Sequence, residues 1–275
     1  FHFEFHDDAS VPQTAVELAT QIIAKHPAVI IGPAVQATCN AVAALVPNGP
    51  VVYCLSPGLI PVPRSYVFAT SASVNYIVPA MFRFIRTSGQ HRIAALITTD
   101  ATGQRADATL PKVLALPENK SLQLVATEHF ADNDISVAAQ VARIKAAKPD
   151  FIYLVASGAG FQTIMRQFAE SGLRDVPVVT SSANMSKGML APLVKNPPAE
   201  LIFNGPRFWG STNDQDAGVR AAIAEYNAAY KKIGAEQTPN DDFGWDTAKI
   251  VVDAYRHLGT NATAAQIHDY IEHLK

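Results

Sequence analysis

Short, continuously apolar runs alternate along this chain with segments whose apolar residues recur every three or four positions. In SVPQTAVELATQIIAK, the residues Ala15, Leu18, Ala19, Ile22 and Ile23 share one helical face, Ser10 is placed to cap, and Pro12 suits a first turn. AVII follows as a short buried strand, then a helix over residues 38–46 with Ala41, Val42 and Leu45 inward, then the strand VVYCL. A helix over residues 75–87 turns Ile77, Val78, Met81, Phe82 and Ile85 inward, and the strand RIAALIT and a helix beginning near Gly103 come next. LQLVATEHF, DFIYLVA and VPVVT read as further strands, separated by the helices SVAAQVARIKAAK and GFQTIMRQFAESG, the latter ending at Gly172. Apolar strands that each lead into an amphipathic helix are the pattern of a parallel sheet covered on both faces, so the fold class is α/β.

After residue 205 the texture changes. RFWGSTNDQD is a polar connection, and three helical segments follow over residues 215–233, 242–258 and 263–274. Val219, Ala222, Ile223, Tyr226 and Tyr230 give the first its stripe, and Ala248, Val251, Val252, Tyr255 and Leu258 the second. PGLIPVP reads as an ordered loop because strands flank it closely.

With 275 residues, 48% of them apolar, the chain can bury a large core as one large domain or two lobes. Its 22 basic and 24 acidic residues are spread along the chain, which excludes the concentrated basic patch of a nucleic-acid binder and favours a small-molecule partner. IIAKHPAVIIGPAV and YIVPAMFRFIR are interrupted by charge and Pro, and no run approaches the roughly 20 apolar residues of a membrane span. Phe1 already stands inside a strand-like pattern with no initiator Met, so the displayed chain is expected to have lost its true N-terminus. Cys39 and Cys54 are expected to be two isolated buried thiols, with a single bridge arithmetically open.

The opening FHFEFHDD alternates His2, Glu4 and His6 with phenylalanines, which in a strand puts three potential metal ligands on one face. A polar sheet edge explains the same alternation and is preferred, and a solvated helix surface is preferred for His268 and Glu272. No GxSxG, Walker, HExxH or CxxC motif is present, so the enzyme reading starts weak. Gly158-Ala159-Gly160 follows a strand and opens a helix but lacks the third glycine of a dinucleotide fingerprint; an anion site on that helix start and a plain tight turn both remain open. The informative positions are the turns after strands, where open α/β sheets bind ligands. PAVQATCN, SPGLIP, DATGQ, SGAG and SSAN are all rich in small and hydroxyl residues whose donors could converge on a ligand.

On these residues the sequence resembles the type I periplasmic solute-binding proteins of ABC transporters, in the branch that binds branched-chain amino acids and aromatic compounds. HDDASVPQTAVELATQII resembles the family's acidic turn and first helix, IIGPAVQATCNAV its IGP-x-x-S/T segment, VYCLSPG its I-S-P-A segment, and DFIYLVASGAGFQTIMRQFAESGL its D-x-[IV]-x segment and following helix. The resemblance implies two doubly wound parallel-sheet lobes joined by a hinge, with the chain crossing near residues 68–73 and 203–207. Lobe one would be residues 1–70 and 207–275, lacking its first strand, and lobe two residues 74–203. FHFEFHDD becomes the second strand, at the outer edge of lobe one's sheet. The resemblance puts Gln36, Ala37, Thr38, Ser56, Pro57 and Gly58 on lobe one's side of the ligand, and Thr102, Ser157, Gly158 and Ser182 on lobe two's. Trp245 resembles the family's cleft-lining aromatic, and Phe208 lies just beyond a crossing; packing at a lobe interface is the competing role for both.

The departures bear on the ligand. Amino acid binders of this family hold the ammonium with an acidic residue where this sequence has Ser181-Ser182, and burying an ammonium without a carboxylate is costly. The resemblance therefore implies a receptor for a small aromatic carboxylate or related apolar acid, with a branched-chain amino acid as the alternative. It implies no catalysis, cofactor or metal, a membrane permease as partner, a monomer, and a periplasmic location with the signal peptide outside the displayed residues. Two further readings stay open: a cytoplasmic amide or amino acid sensor of the same fold, and an enzyme acting through Ser181 or Ser182 if a histidine reaches them.

Overall fold

The structure, a computed structural model, describes residues 2–56, 59–70, 74–131, 133–205, 216–235, 237 and 241–274. Along the chain run α1 (Pro12–Ile23), β1 (Val29–Ile31), α2 (Gln36–Ala43), β2 (Val51–Cys54), β3 (Val67–Ala69), α3 (Val74–Thr87), β4 (Arg92–Thr98) and α4 (Ala101–Leu114). They are followed by β5 (Gln123–Phe130), α5 (Ala138–Ala146), β6 (Phe151–Val155), α6 (Gly158–Ser171), β7 (Val178–Thr180), α7 (Lys187–Leu190), β8 (Leu201–Phe203), α8 (Ala217–Ile233), α9 (Asp241–Leu258) and α10 (Ala264–Glu272). The chain divides into two compact units, Phe1–Val74 with Asn240–Lys275, and Asn75–Pro239.

In the first unit β1, β2 and β3 pair in parallel in that order. Alternation along β2 sends Val52 and Cys54 into a cluster with Ala15 and Ala19 of α1 and Cys39 and Val42 of α2. Val51 and Tyr53 point the other way, against Ala254 of α9 and Ile267 and Ile271 of α10. Both faces of the sheet are thus covered, which is why β2 is apolar throughout.

The second unit holds a parallel sheet of order β5-β4-β6-β7-β8. Ala94 and Leu96 of β4 join Ile152 and Leu154 of β6 beneath Val141, Ile144, Phe161 and Ile164 of α5 and α6. Ile93, Ala95 and Ile97 join Phe151 and Tyr153 beneath Val78, Phe82 and Ile85 of α3 and Leu110 of α4. Each fully buried Leu, Ile or Phe here contributes roughly 1.5–3 kcal/mol over an exposed position. Gly103 has a steric reason: a Cβ there would lie 1.6 Å from the Thr98 carbonyl oxygen, so only glycine lets α4 start this close to the end of β4.

Four expectations are corrected. Residues 2–7 form no strand; Glu4 instead pairs with Lys25, whose ammonium lowers the carboxyl's pKa, and stands 3.6 Å from His6. Alternation alone cannot make a strand without a neighbour to accept its hydrogen bonds. Ser10 does not cap α1, because Asp7 and Asp8 accept from the amides of Ala9 and Ser10 in turns of their own and leave Val11 at the N-cap. Cys39 and Cys54 are bonded in a disulfide, their Cα atoms 6.0 Å apart, because α2 packs directly on the face of β2 that carries Cys54. His268 is no solvated surface residue, since its ring stacks on Tyr66 at 4.6 Å and lies against Phe68 at 5.6 Å. By compactness α8 groups with the second unit, and it buries only Tyr226 among its described side chains.

Candidate functional site

The strand order of the second unit fixes where a ligand can sit. Because β4 lies between β5 and β6, the chain leaves β4 toward one edge and returns past it to build the other. The crevice outside the carboxyl ends of β4 and β6 is therefore a topological switch point, the place where open α/β sheets bind ligands. Ile97 of β4 pairs with Val155 of β6, so the turns bearing Thr102 and Ser157 leave the sheet side by side.

These turns differ in what their backbone has left to offer. At α4, Asp100 accepts from the N–H groups of Thr102 at 2.8 Å and Gly103 at 2.9 Å, so Thr102 presents an exposed side chain but a committed amide. At α6, Ser157 occupies the N-cap without a side-chain cap bond, and both Ser157 and Gly158 are exposed. Gly158 has φ +56°, a left-handed conformation that glycine adopts without cost. The first-turn amides of this 14-residue helix thus lack the side-chain acceptor that Asp100 gives α4, and they stand at the positive end of the helix dipole. That is the electrostatics of an anion site.

After β7, Ser181 accepts from the Ala183 amide at 3.2 Å and opens the short 3-10 helix Ser182–Asn184, with Ser182 half-buried at its start. Asn184 is fully buried, and its side-chain amide donates to the Ala156 carbonyl at 2.8 Å and to Thr180 Oγ1 at 3.0 Å. Among the described residues, no histidine hydrogen-bonds to Ser181 or Ser182.

In the first unit, α2 also starts without a side-chain cap, at Val35. Gln36 is half-buried and Ala37 exposed, whereas Thr38 is fully buried with its hydroxyl donating to the Val35 carbonyl at 2.8 Å. Ser56, two residues beyond β2, is buried too. The disulfide joins the turn of α2 next to Thr38 to the end of β2 next to Ser56, so it ties two of the expected ligand segments together. Pro57, Gly58 and Phe208 lie outside the described residues.

Trp245 is half-buried in the second turn of α9, with Lys249 Nζ 5.7 Å from the ring centroid. One turn before Asp246 stands Asp242, 93% buried by its 7% exposure, with an Oδ1 that finds no hydrogen-bond partner among the described residues. Burial, then the charges of Asp246 and Asp241, push this carboxyl up to about 6, although backbone amides of the helix start oppose the rise. Sequence reasoning missed Asp242; the signal was D-D-x-x-x-D around Trp245, which puts two carboxylates four residues apart on one helical face. Among the described residues no group of three His, Cys, Asp or Glu is arranged to hold a metal ion, and no helix is long and apolar enough to cross a membrane.

A family model described as periplasmic binding protein matches residues 1–275. Among solved structures, an extracellular ligand-binding receptor from Rhodopseudomonas palustris HaA2 superposes with a TM-score of 0.75 at 21% identity, over 97% of this chain and 75% of that one. A solute binding protein of an ABC transporter from Rhodopseudomonas palustris BisB5, in complex with 3,4-dihydroxy benzoic acid, gives 0.71 at 22% identity over 95% and 71%. A leucine binding protein from Thermotoga maritima MSB8 gives 0.71 at 17% identity over 96% and 74%. At these identities the structural likeness shows the fold. Among curated protein sequences, none matches the chain.

Proposed function

This chain belongs to the periplasmic binding protein family, and on that premise we propose that it is an extracytoplasmic receptor that delivers a small aromatic carboxylate to an ABC importer. The observation that carries the ligand class is the start of α6. An uncapped helix N-terminus, the exposed Ser157 hydroxyl and the φ-permissive Gly158 stand together at the sheet's switch point.

In this reading the ligand carboxylate accepts from the first-turn amides of α6 and from Ser157, with Thr102 and Ser182 as flanking hydroxyls. In the first unit Gln36, Ala37, Thr38, Ser56 and Trp245 are assigned to the ligand; Pro57, Gly58 and Phe208 lie outside the described residues. Hinge closure of two lobes traps the ligand and presents the complex to a membrane permease. The receptor acts as a periplasmic monomer, without cofactor or turnover. The aromatic choice is supported by the neighbour solved with 3,4-dihydroxy benzoic acid and by Ser181-Ser182 at the position where amino acid binders carry an acidic residue.

A branched-chain amino acid is the second reading, and one observation favours it. Asp242 is a buried carboxyl one turn from Trp245, the residue type that pairs with an ammonium. Titration calorimetry of the wild type and Ser157→Ala with 3,4-dihydroxybenzoate tests the primary reading. Loss of one charge-assisted hydrogen bond should weaken binding by at least about tenfold. Equal affinity in the two proteins would take the carboxylate away from α6.

A further inference from the structure

We infer that Asn184 is a positioning residue that holds the Ser157 and Ser182 turns in register. The inference rests on the reading above only in taking these turns to be the ligand's contacts. The Asn184 side-chain amide spends both of its protons on the carboxyl edge of the sheet, one on the carbonyl of Ala156 where β6 ends and one on the hydroxyl of Thr180 where β7 ends. Ser157 follows Ala156 directly, and Ser182 begins the same 3-10 turn that Asn184 closes.

The ladder between β6 and β7 does not do this job. Its paired residues are Ile152 with Val178 and Tyr153 with Val179, so the last residues of both strands run on without a partner across this pair. Among the described residues, the Asn184 amide bridges the segments that continue beyond this paired register. The residue is fully buried, so water cannot substitute cheaply for either acceptor, and each lost bond strands a carbonyl or a hydroxyl. Its own backbone is tied to the turn as well, the Asn184 amide donating to the Ser181 carbonyl at 3.1 Å. One side chain therefore sets the separation of two turns that lie 25 positions apart in sequence, from Ser157 to Ser182.

Asn119 supplies the control. It is 2% exposed, in the same unit, and its side-chain amide likewise donates to a carbonyl, that of Val113 at 2.8 Å. It sits before β5 begins, at the amino end of the parallel sheet, away from the candidate site. The experiment compares amide hydrogen exchange of the unliganded wild type, Asn184→Ala, Thr180→Val and Asn119→Ala, and then titrates each with 3,4-dihydroxybenzoate. Exchange should accelerate in peptides covering residues 157–160 and 181–184 together, by about tenfold or more in Asn184→Ala and less in Thr180→Val, which keeps the Ala156 bond. Asn119→Ala should melt at a lower temperature yet leave both peptides at the wild-type rate, and its affinity should be unchanged while that of Asn184→Ala falls. Acceleration confined to one of the two turns, or matched by Asn119→Ala, would reduce Asn184 to a packing residue. If Asn184→Ala does not fold, Thr180→Val decides the matter alone. A wild type that ignores 3,4-dihydroxybenzoate would overturn the ligand class and leave the exchange comparison to judge Asn184.

Discussion

Cys39 and Cys54 are joined across the interface of α2 and β2, so the helix start that carries Thr38 cannot move away from the strand end that leads to Ser56 without breaking a covalent bond. A link of this kind persists in an oxidising compartment such as the one proposed for this receptor. It closes a loop with a sequence separation of 15, for which the chain-entropy account gives about 3 kcal/mol.

Reduction should therefore lower stability by about that amount. Thermal unfolding of the wild type with and without dithiothreitol, and of the Cys39→Ser/Cys54→Ser double variant, measures it. The reduced wild type and the variant should melt together, well below the oxidised protein. Coincident melting of all three would show that the bond contributes nothing.

Asp242 sets a pH dependence whose sign follows from its raised pKa. A folded-state value of about 6 against an unfolded 3.8 means that the native chain holds the proton more tightly. Stability falls as pH rises through that window, and the full cost of charging the group is present above about 6. Asp242→Asn abolishes the titration. Relative to wild type, the variant should gain on the order of 1 to 3 kcal/mol between pH 4 and pH 8. Urea unfolding at the two pH values reads it, and a constant difference would mean that Asp242 titrates normally.

Trp245 should matter for binding and little for folding, since its ring is half-exposed and rests partly under Lys249. Trp245→Ala is expected to weaken binding of an aromatic acid by roughly 1 kcal/mol or more while far-UV circular dichroism stays unchanged. Unaltered affinity would remove Trp245 from the site.

How much of this was legible in the sequence depended on whether the cause was local. RIAALIT coincides with β4 residue for residue because the run is apolar between a charged start and a polar turn, and Gly172 ends α6 because a left-handed C-cap needs it. The helix starts after β4, β6 and β7 likewise stand where the alternation puts them. FHFEFHDD misled, since its period of two matches a strand but no neighbouring strand accepts it. The tertiary facts were out of reach. The disulfide spans 15 positions, the Asn184 bond to Ala156 spans 28, and the burial of Asp242 depends on what packs around α9. Asn and Asp are residue types compatible with a solvated surface and two buried cysteines are compatible with free thiols, so only packing decides otherwise.

A thermal-shift comparison of 3,4-dihydroxybenzoate, benzoate and leucine decides whether the proposed ligand class, a small aromatic carboxylate, is the right one. At about 100 times its dissociation constant a bound ligand should stabilise the protein by roughly 2.7 kcal/mol. At least one of the two aromatic acids should raise the melting temperature, and leucine should not. Stabilisation by leucine, with neither aromatic acid active, would contradict the proposed ligand class and move the assignment to the amino acid reading.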